Sequence, residues 1–192
     1  MTAERDQGEA TGQAAKLSTD EYVALASRMT GSEFATYFAK LDPPIAYWLI
    51  YYANVDAVGA SSFATQIVSK DVARQKPTNQ LHVVPLAKGK NNPYQDRISV
   101  GRARNCDVVL RNPSISKLHA HIRREPNGSF VIIDQNSHNG TAVGGIRVPP
   151  SQPVPLRVGE QLTIGGMLVR LIDANQLHQV LTDRSPWGPL RA

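Results

Sequence analysis

The sequence predicts a mainly β chain: an all-β sandwich or barrel over its second half, preceded by a small α-helical region. Three observations carry this. After Leu81 the apolar residues fall in short runs broken by Gly, Pro and Asn, the spacing of strands joined by tight turns. Before Leu81 they recur at helical spacing behind residues that cap helices. The composition shifts at the same place: ten of the 13 prolines follow residue 80, and residues 1–80 and 81–192 carry formal charges of −2 and +7.

Taken in order, residues 1–16 hold almost nothing to bury and read as a flexible tail. Residues 17–75 read as the helical region. Ser18 or Thr19 caps a first helix through Arg28, with Asp20 and Glu21 in its first turn and Tyr22, Leu25 and Met29 on one face. Gly31-Ser32 breaks the chain before a second helix over Glu33 to Lys40. Pro43-Pro44 then fits the start of a third, running through Ile45-Ala46-Tyr47-Trp48-Leu49-Ile50-Tyr51-Tyr52, and a fourth covers Asp56 to Arg74. Four short helices make a small core by themselves, so docking on the sandwich, on a partner or on a second copy is expected. Residues 76–80 read as a linker.

Strands are expected near Leu81–Leu86, Arg97–Val100, Asp107–Leu110, His119–Arg123, Phe130–Asp134, Thr141–Val143, Ile146–Val148, Gln161–Ile164 and Met167–Ile172. Asn127-Gly128, Gly144-Gly145 and Gly165-Gly166 supply hairpin turns. The β region spans 81–175, and 176–192 form a C-terminal extension with one helical turn over Leu177 to Thr182.

Several function classes are excluded early. Cys106 is the sole cysteine, which removes zinc-finger and CxxC redox readings. The longest windows without a charge are 13 residues, Pro43 to Val55 and Ala57 to Ser69, against roughly 20 apolar residues for a membrane span. The start of the chain mixes both signs of charge and lacks the apolar stretch of a secretion signal, so a cytoplasmic location is the expectation.

Polar residues concentrate in three loops between strands: Val100 to Asn105, Asn112 to His119 and Asn136 to Thr141. None contains an evident catalytic set. What they hold suits a phosphate: guanidinium groups at Arg102 and Arg104, a hydroxyl at Ser116, an ammonium at Lys117, and backbone amides beside glycine. A phosphorylated side chain carries about −1.5 to −2 charges and three acceptor oxygens, a match for several charge-assisted donors. Asn139 adds an amide that both donates and accepts, as a peptide backbone requires.

Gly101-Arg102, Ser116-Lys117-Leu118-His119 and Asn139-Gly140-Thr141, in that order and separated by predicted strands, resemble the forkhead-associated (FHA) domain, whose loops carry Gly-Arg, Ser-x-x-His and Asn-Gly. The resemblance covers about residues 81–175; the region before it is not recognised. It implies a two-sheet antiparallel β-sandwich that reads phosphothreonine peptides without catalysis, as a signalling adaptor or scaffold. Carried over, Arg102 and Ser116 bind phosphate, Lys117 assists there or at the neighbouring peptide, and Asn139 holds ligand backbone. Gly101, His119 and Gly140 support the loops. The position before Asn139 is often Thr in the family and is His138 here, facing the ligand. The implied partner is a threonine-phosphorylated protein, such as a Ser/Thr kinase or its substrate, with no cofactor, no small-molecule substrate and no membrane; self-association is compatible with the helical region.

Other readings compete. A basic nucleic-acid-binding domain would explain the +7 of residues 81–192, but no basic helix or aromatic-and-basic strand motif accompanies it. A phosphorylation-independent interaction domain is the remaining alternative. Ser116, His119 and Asp134 spell a hydrolase triad, yet no Gly-x-Ser-x-Gly elbow surrounds the serine. His119 and His121 at i and i+2 superficially suit a metal, though a structural His119 and a surface His121 are the better expectation.

Overall fold

A computed structural model describes residues 17–41, 45–52, 81–89, 92, 94 and 96–183. The readings of a tail over 1–16, a helix over 56–74 and a linker over 76–80 lie outside these residues.

Two capping boxes start the chain. Ser18 Oγ accepts the Glu21 N–H at 3.4 Å while the Glu21 carboxylate accepts the Ser18 N–H at 2.7 Å, opening α1 (Thr19–Ala26). Thr30 and Glu33 repeat the device on α2 (Gly31–Ala39), so the second helix begins at Gly31, which sits inside its first turn instead of breaking the chain before it.

The next element corrects the sequence reading. Residues expected as a third helix form a strand, β1 (Tyr47–Tyr52), hydrogen-bonded on both sides. Ten further strands follow: β2 (Leu81–Pro85), β3 (Arg97–Gly101), β4 (Val108–Val109), β5 (Ala120–Arg124), β6 (Phe130–Asp134), β7 (Thr141–Val143), β8 (Ile146–Arg147), β9 (Pro153–Leu156), β10 (Gln161–Ile164) and β11 (Met167–Asp173). A closing helix, α3 (Ala174–Asp183), runs for ten residues where a single turn was expected. One sheet has the order β2-β1-β11-β10-β7-β8 and the other β4-β3-β5-β6-β9. Every neighbouring pair is antiparallel except β3 with β4. The expected two-sheet sandwich is present.

The helix reading failed at β1 because this strand is buried on both faces. Leu49 points between the sheets, where it joins Val100, Leu110, Ile122, Ile132, Leu162 and Leu171; Tyr47 and Tyr51 pack on that same core. Trp48 and Ile50 point the other way, under the helices, with Tyr22, Phe34, Phe38, Ile172 and Leu177. A strand covered twice shows no polar alternate positions, so its run loses the period-2 signature of a half-exposed strand. The strand also crosses the proposed boundary: β1 lies between β2 and β11, so residues 76–80 separate two hydrogen-bonded neighbours of one sheet.

The short β9 was not foreseen because its sequence, PVPL, carries two prolines. It is the edge strand of its sheet, where a missing N–H leaves no partner unsatisfied. At the far edge of the molecule α3 packs on α1 and α2, and the His178 Nε2–H donates to the carbonyls of Ala26 at 3.1 Å and Met29 at 2.8 Å. Among the described residues no helix is long and apolar enough to cross a membrane.

Candidate functional site

The loops after β3, β4 and β6 converge at one end of the sandwich, joined by the two-glycine turn between β10 and β11. The first is laid along the second by backbone hydrogen bonds: Arg102 N–H donates to the Ser116 carbonyl and Ala103 N–H to the Lys117 carbonyl, both at 3.1 Å, and His119 N–H donates to Val100 at 2.9 Å. This closeness requires Gly101. A Cβ there would overlap the Lys117 carbonyl oxygen and stand 2.9 Å from Cys106 Sγ. The half-buried Cys106 thiol donates to the same carbonyl at 3.2 Å, and burial, then the nearby Asp107, push its pKa up.

The third loop is tied to the second through side chains. His138 N–H donates to Ser116 Oγ at 3.0 Å, and Asn139 Nδ2 donates to the Ser114 carbonyl at 2.8 Å. Ser114 is held in turn by Asn112 Oδ1, which accepts from its N–H at 2.9 Å and its hydroxyl at 2.8 Å. Two consequences follow. Ser116 Oγ receives one hydrogen bond from the protein, leaving its own O–H to be given outward. Asn139 spends an N–H on the protein, leaving Oδ1 as an acceptor.

Beneath these groups lies a buried polar layer. His119, wholly buried, accepts the Ser116 N–H on Nδ1 at 3.1 Å; its other ring nitrogen therefore carries the proton and donates to the Gly140 carbonyl at 3.1 Å. Burial pushes the His119 pKa down, more than the Gly140 carbonyl and Asp134 raise it, so the ring is neutral. Asp134, 1% exposed, accepts from Ser137 N–H at 2.8 Å, Ser137 Oγ at 2.7 Å and Thr141 Oγ1 at 2.6 Å. Burial alone would raise its pKa; these donors, Thr141 first, hold it below the usual carboxylate range. Gly165 closes the layer: its N–H donates to the Gly140 carbonyl at 3.0 Å, and a Cβ there would overlap the Ser114 carbonyl oxygen.

Above the layer, Arg102, Arg104, Lys117, His138 and Asn139 are exposed, and Ser116 is half-buried. Among the described residues no carboxylate stands within salt-bridge distance of Arg102, Arg104, Arg111 or Lys117. The site is thus a cationic rim around a hydroxyl and an amide, on a base whose donors and acceptors are satisfied internally. It can take an anion with several oxygens and a backbone beside it.

The structure brings Arg102, Ser116, Lys117, His138 and Asn139 to one surface and sets Gly101, His119 and Gly140 below it. Ser114, Asp134, Ser137 and Gly165 were not assigned by sequence to the support of these loops. The spacing of Asn112 and Ser114, an Asx turn, was a signal that could have found the first; Asp134 and Gly165 were read in other roles, as a triad member and a hairpin turn, and nothing in the local pattern marks Ser137. The triad does not assemble. Ser116 faces His119 with its backbone N–H instead of its hydroxyl, and Asp134 Oδ2 stands 3.9 Å from His119 Nε2. His121 is not the surface residue expected. It is 7% exposed beside Arg97, and burial, then that guanidinium, push its pKa down.

Residues 98–165 match the family model of the FHA domain. The chain is 37% identical over 88 residues to the Arabidopsis thaliana protein phosphatase 1 regulatory inhibitor subunit PPP1R8 homolog, a match that takes in 42% of this chain and 24% of that one. It is 32% identical over 76 residues to human (Homo sapiens) kanadaptin, covering 34% and 10% of the two chains. It is 30% identical over 94 residues to the DNA damage response protein kinase DUN1 of Saccharomyces cerevisiae, covering 44% and 18%. The chain thus spans a quarter or less of these curated relatives. Among solved structures it is similar to an engineered FHA domain with a Myc-pTBD peptide, at 19% identity and a TM-score of 0.45 over 71% of this chain and 98% of that one. A loop end built on Gly-Arg, Ser-x-x-His and Asn-Gly, within the span matched by the family model, makes residues 98–165 of this chain an FHA domain.

Proposed function

We propose that the loop end of this domain holds a phosphothreonine segment of a partner protein, and that the chain works by binding, as a signalling adaptor or scaffold without catalysis. FHA domains are phosphothreonine-peptide binding modules. The observation that carries the reading is Ser116 as a hub. Its carbonyl takes the Arg102 N–H and its Oγ takes the His138 N–H, so a group from each of the three loops is fixed around one hydroxyl.

In this reading the Arg102 guanidinium and the Ser116 O–H donate to phosphate oxygens. Lys117, exposed beside them, adds charge at the phosphate or the adjoining peptide. Asn139 Oδ1 accepts a ligand backbone N–H, and His138 flanks the threonine. The partner is a protein phosphorylated on threonine, a kinase or its substrate.

Fluorescence anisotropy with one peptide sequence carrying phosphothreonine, phosphoserine or unmodified threonine tests this. Tight binding of the first is expected, with a loss of roughly tenfold or more in Arg102→Ala, the worth of a charge-assisted hydrogen bond. Equal affinity for phosphorylated and plain peptide would overturn it.

A further inference from the structure

Arg147 stands outside the three loops, on edge strand β8 of the opposite sheet, yet its guanidinium reaches the ligand-facing turn. A Cβ built on Gly140 would lie 2.7 Å from one terminal nitrogen of Arg147, 2.9 Å from Cζ and 3.3 Å from Nε. The plane of the guanidinium therefore lies on the Gly140 backbone, next to Asn139. The position is imposed by the strand: Arg147 pairs with Ala142 on β7, which begins immediately after the Asn139-Gly140 turn. Glycine at 140 is what lets the group come so close.

The guanidinium is also uncommitted. Arg147 is exposed, and among the described residues no carboxylate lies within salt-bridge distance of it. The charged donors proposed for the phosphate, Arg102 and Lys117, follow β3 and β4 in one sheet, whereas Arg147 belongs to the other, and Asn139 lies on the loop from β6 to β7 that joins the two sheets. A peptide held by its backbone at Asn139 is therefore held beside the Gly140 turn on which Arg147 rests.

We propose that Arg147 is a specificity-determining residue that selects a peptide carrying an acidic side chain close to the phosphothreonine, through a charge-assisted hydrogen bond from the guanidinium to that carboxylate. This rests on the phosphothreonine reading of the site. It assigns the second anionic contact to a residue that no loop motif contains.

The test is an aspartate scan. Phosphothreonine peptides with alanine at every other position receive a single Asp at each place from three before to four after the phosphothreonine, and binding to the full chain is measured by anisotropy. An Asp at one or two positions is expected to tighten binding by about threefold to tenfold, between an exposed ion pair and a full charge-assisted bond. Arg147→Gln, which keeps bulk without charge, should erase that gain and leave affinity for the all-alanine phosphopeptide within about twofold; Arg147→Lys should keep part of it. Thermal melts establish that each variant is folded. If Arg147→Gln weakens all phosphopeptides equally, Arg147 only props the turn and the proposal fails. If the Asp gain survives in Arg147→Gln, or no Asp position tightens the parent, it fails as well. A parent indifferent to the phosphate would remove the underlying reading together with this one, whereas a phosphate-dependent parent indifferent to Asp removes this one alone.

Discussion

The molecule has two apolar cores on either side of one sheet, and they are built from different materials. The core between the sheets is mostly aliphatic: Val, Leu and Ile from both inner faces surround one buried aromatic, Phe130, with Tyr47 and Tyr51 packed at the margin. The core under the helices is aromatic: Tyr22 stacks on Phe38 with centroids 5.5 Å apart, Phe38 meets Trp48 edge-on at 5.0 Å, and Phe34 meets Phe38 at 4.8 Å. Layered sheets supply many small interdigitating side chains, whereas three helices of eight to ten residues offer few positions and fill them with large ones. The buried Trp48 Nε1–H donates to the Tyr22 hydroxyl at 3.0 Å, satisfying the polar atoms such rings bring with them. Burial pushes the Tyr22 pKa up to about 12, against the opposing effect of that Trp48 bond. Both cores depend on β1, whose alternate residues feed one and then the other. The helical layer is therefore part of the sandwich and not a neighbour of it.

The sharpest way to break that comparison is Trp48→Ala. Deleting a wholly buried tryptophan costs about 3–5 kcal/mol, a large share of the roughly 5–15 kcal/mol that holds a domain folded. Because Trp48 sits on a central strand, helix and sheet signals should be lost in one denaturant transition at lower urea, as they should in Leu49→Ala on the opposite face of β1. A Trp48→Ala protein whose helices melt first, while the sheet and phosphopeptide binding persist, would show the helical layer to be a separable unit.

This is also where the sequence was legible and where it was not. Thr141–Val143 and Gln161–Ile164, in which buried positions alternate with more open ones, fall where the pattern put them, each ending at a glycine pair that sets the turn; Phe130–Asp134, buried at four of its five positions, was legible from its apolar run after the Asn127-Gly128 turn. β1 was hidden because double burial erases alternation, and β9 because its prolines are tolerated only at an edge, a property of the sheet and not of the segment. At the site, the groups that point outward were readable because their residue types fit a phosphate. The support was not. Asp134, Ser137 and Thr141 form one hydrogen-bonded unit only after β6 and β7 are brought together from different sheets, and Gly165 approaches Ser114 across a separation of 51 positions that no local pattern reports.

A second comparison lies inside one turn. Gly165 and Gly166 both adopt positive φ, at 56° and 91°, so either substitution by alanine carries backbone strain of about 1–3 kcal/mol. Their surroundings differ. A Cβ at Gly165 overlaps the Ser114 carbonyl oxygen and stands 3.1 Å from His119 Cε1, whereas at Gly166 it meets open space. Gly165→Ala should therefore lose phosphopeptide affinity as well as stability, because it displaces the carbonyl that holds Asn139. Gly166→Ala should lose stability alone. Calorimetric binding of both variants to one phosphothreonine peptide separates the outcomes, and equal affinities would mean that the turn does not position Asn139.

The smallest effect is the pH dependence of stability, and it again divides the molecule by burial. Burial depresses the folded-state pKa of His82, His119 and His121 below the ordinary histidine value of about 6.5. A histidine whose folded pKa is lowered binds fewer protons in the folded state than in the unfolded one between the two values. Stability is thus full above about pH 6.5 and falls as pH drops through the window toward the folded-state values, by at most one proton per histidine. Asp134 and Asp107 act in the same direction at lower pH. Burial would raise both, but the donors around them keep both lowered, so their contribution is lost only below the usual carboxylate value of about 3.9. Urea denaturation at a series of pH values from 5 to 8 should show a declining midpoint below about pH 6.5. His119→Gln should flatten that decline while lowering stability throughout, since glutamine at this position loses a ring that bridges Ser116 and Gly140. A variant with an unchanged slope would mean that His119 takes up its proton as readily when folded as when unfolded, which is incompatible with an Nδ1 that accepts the Ser116 N–H.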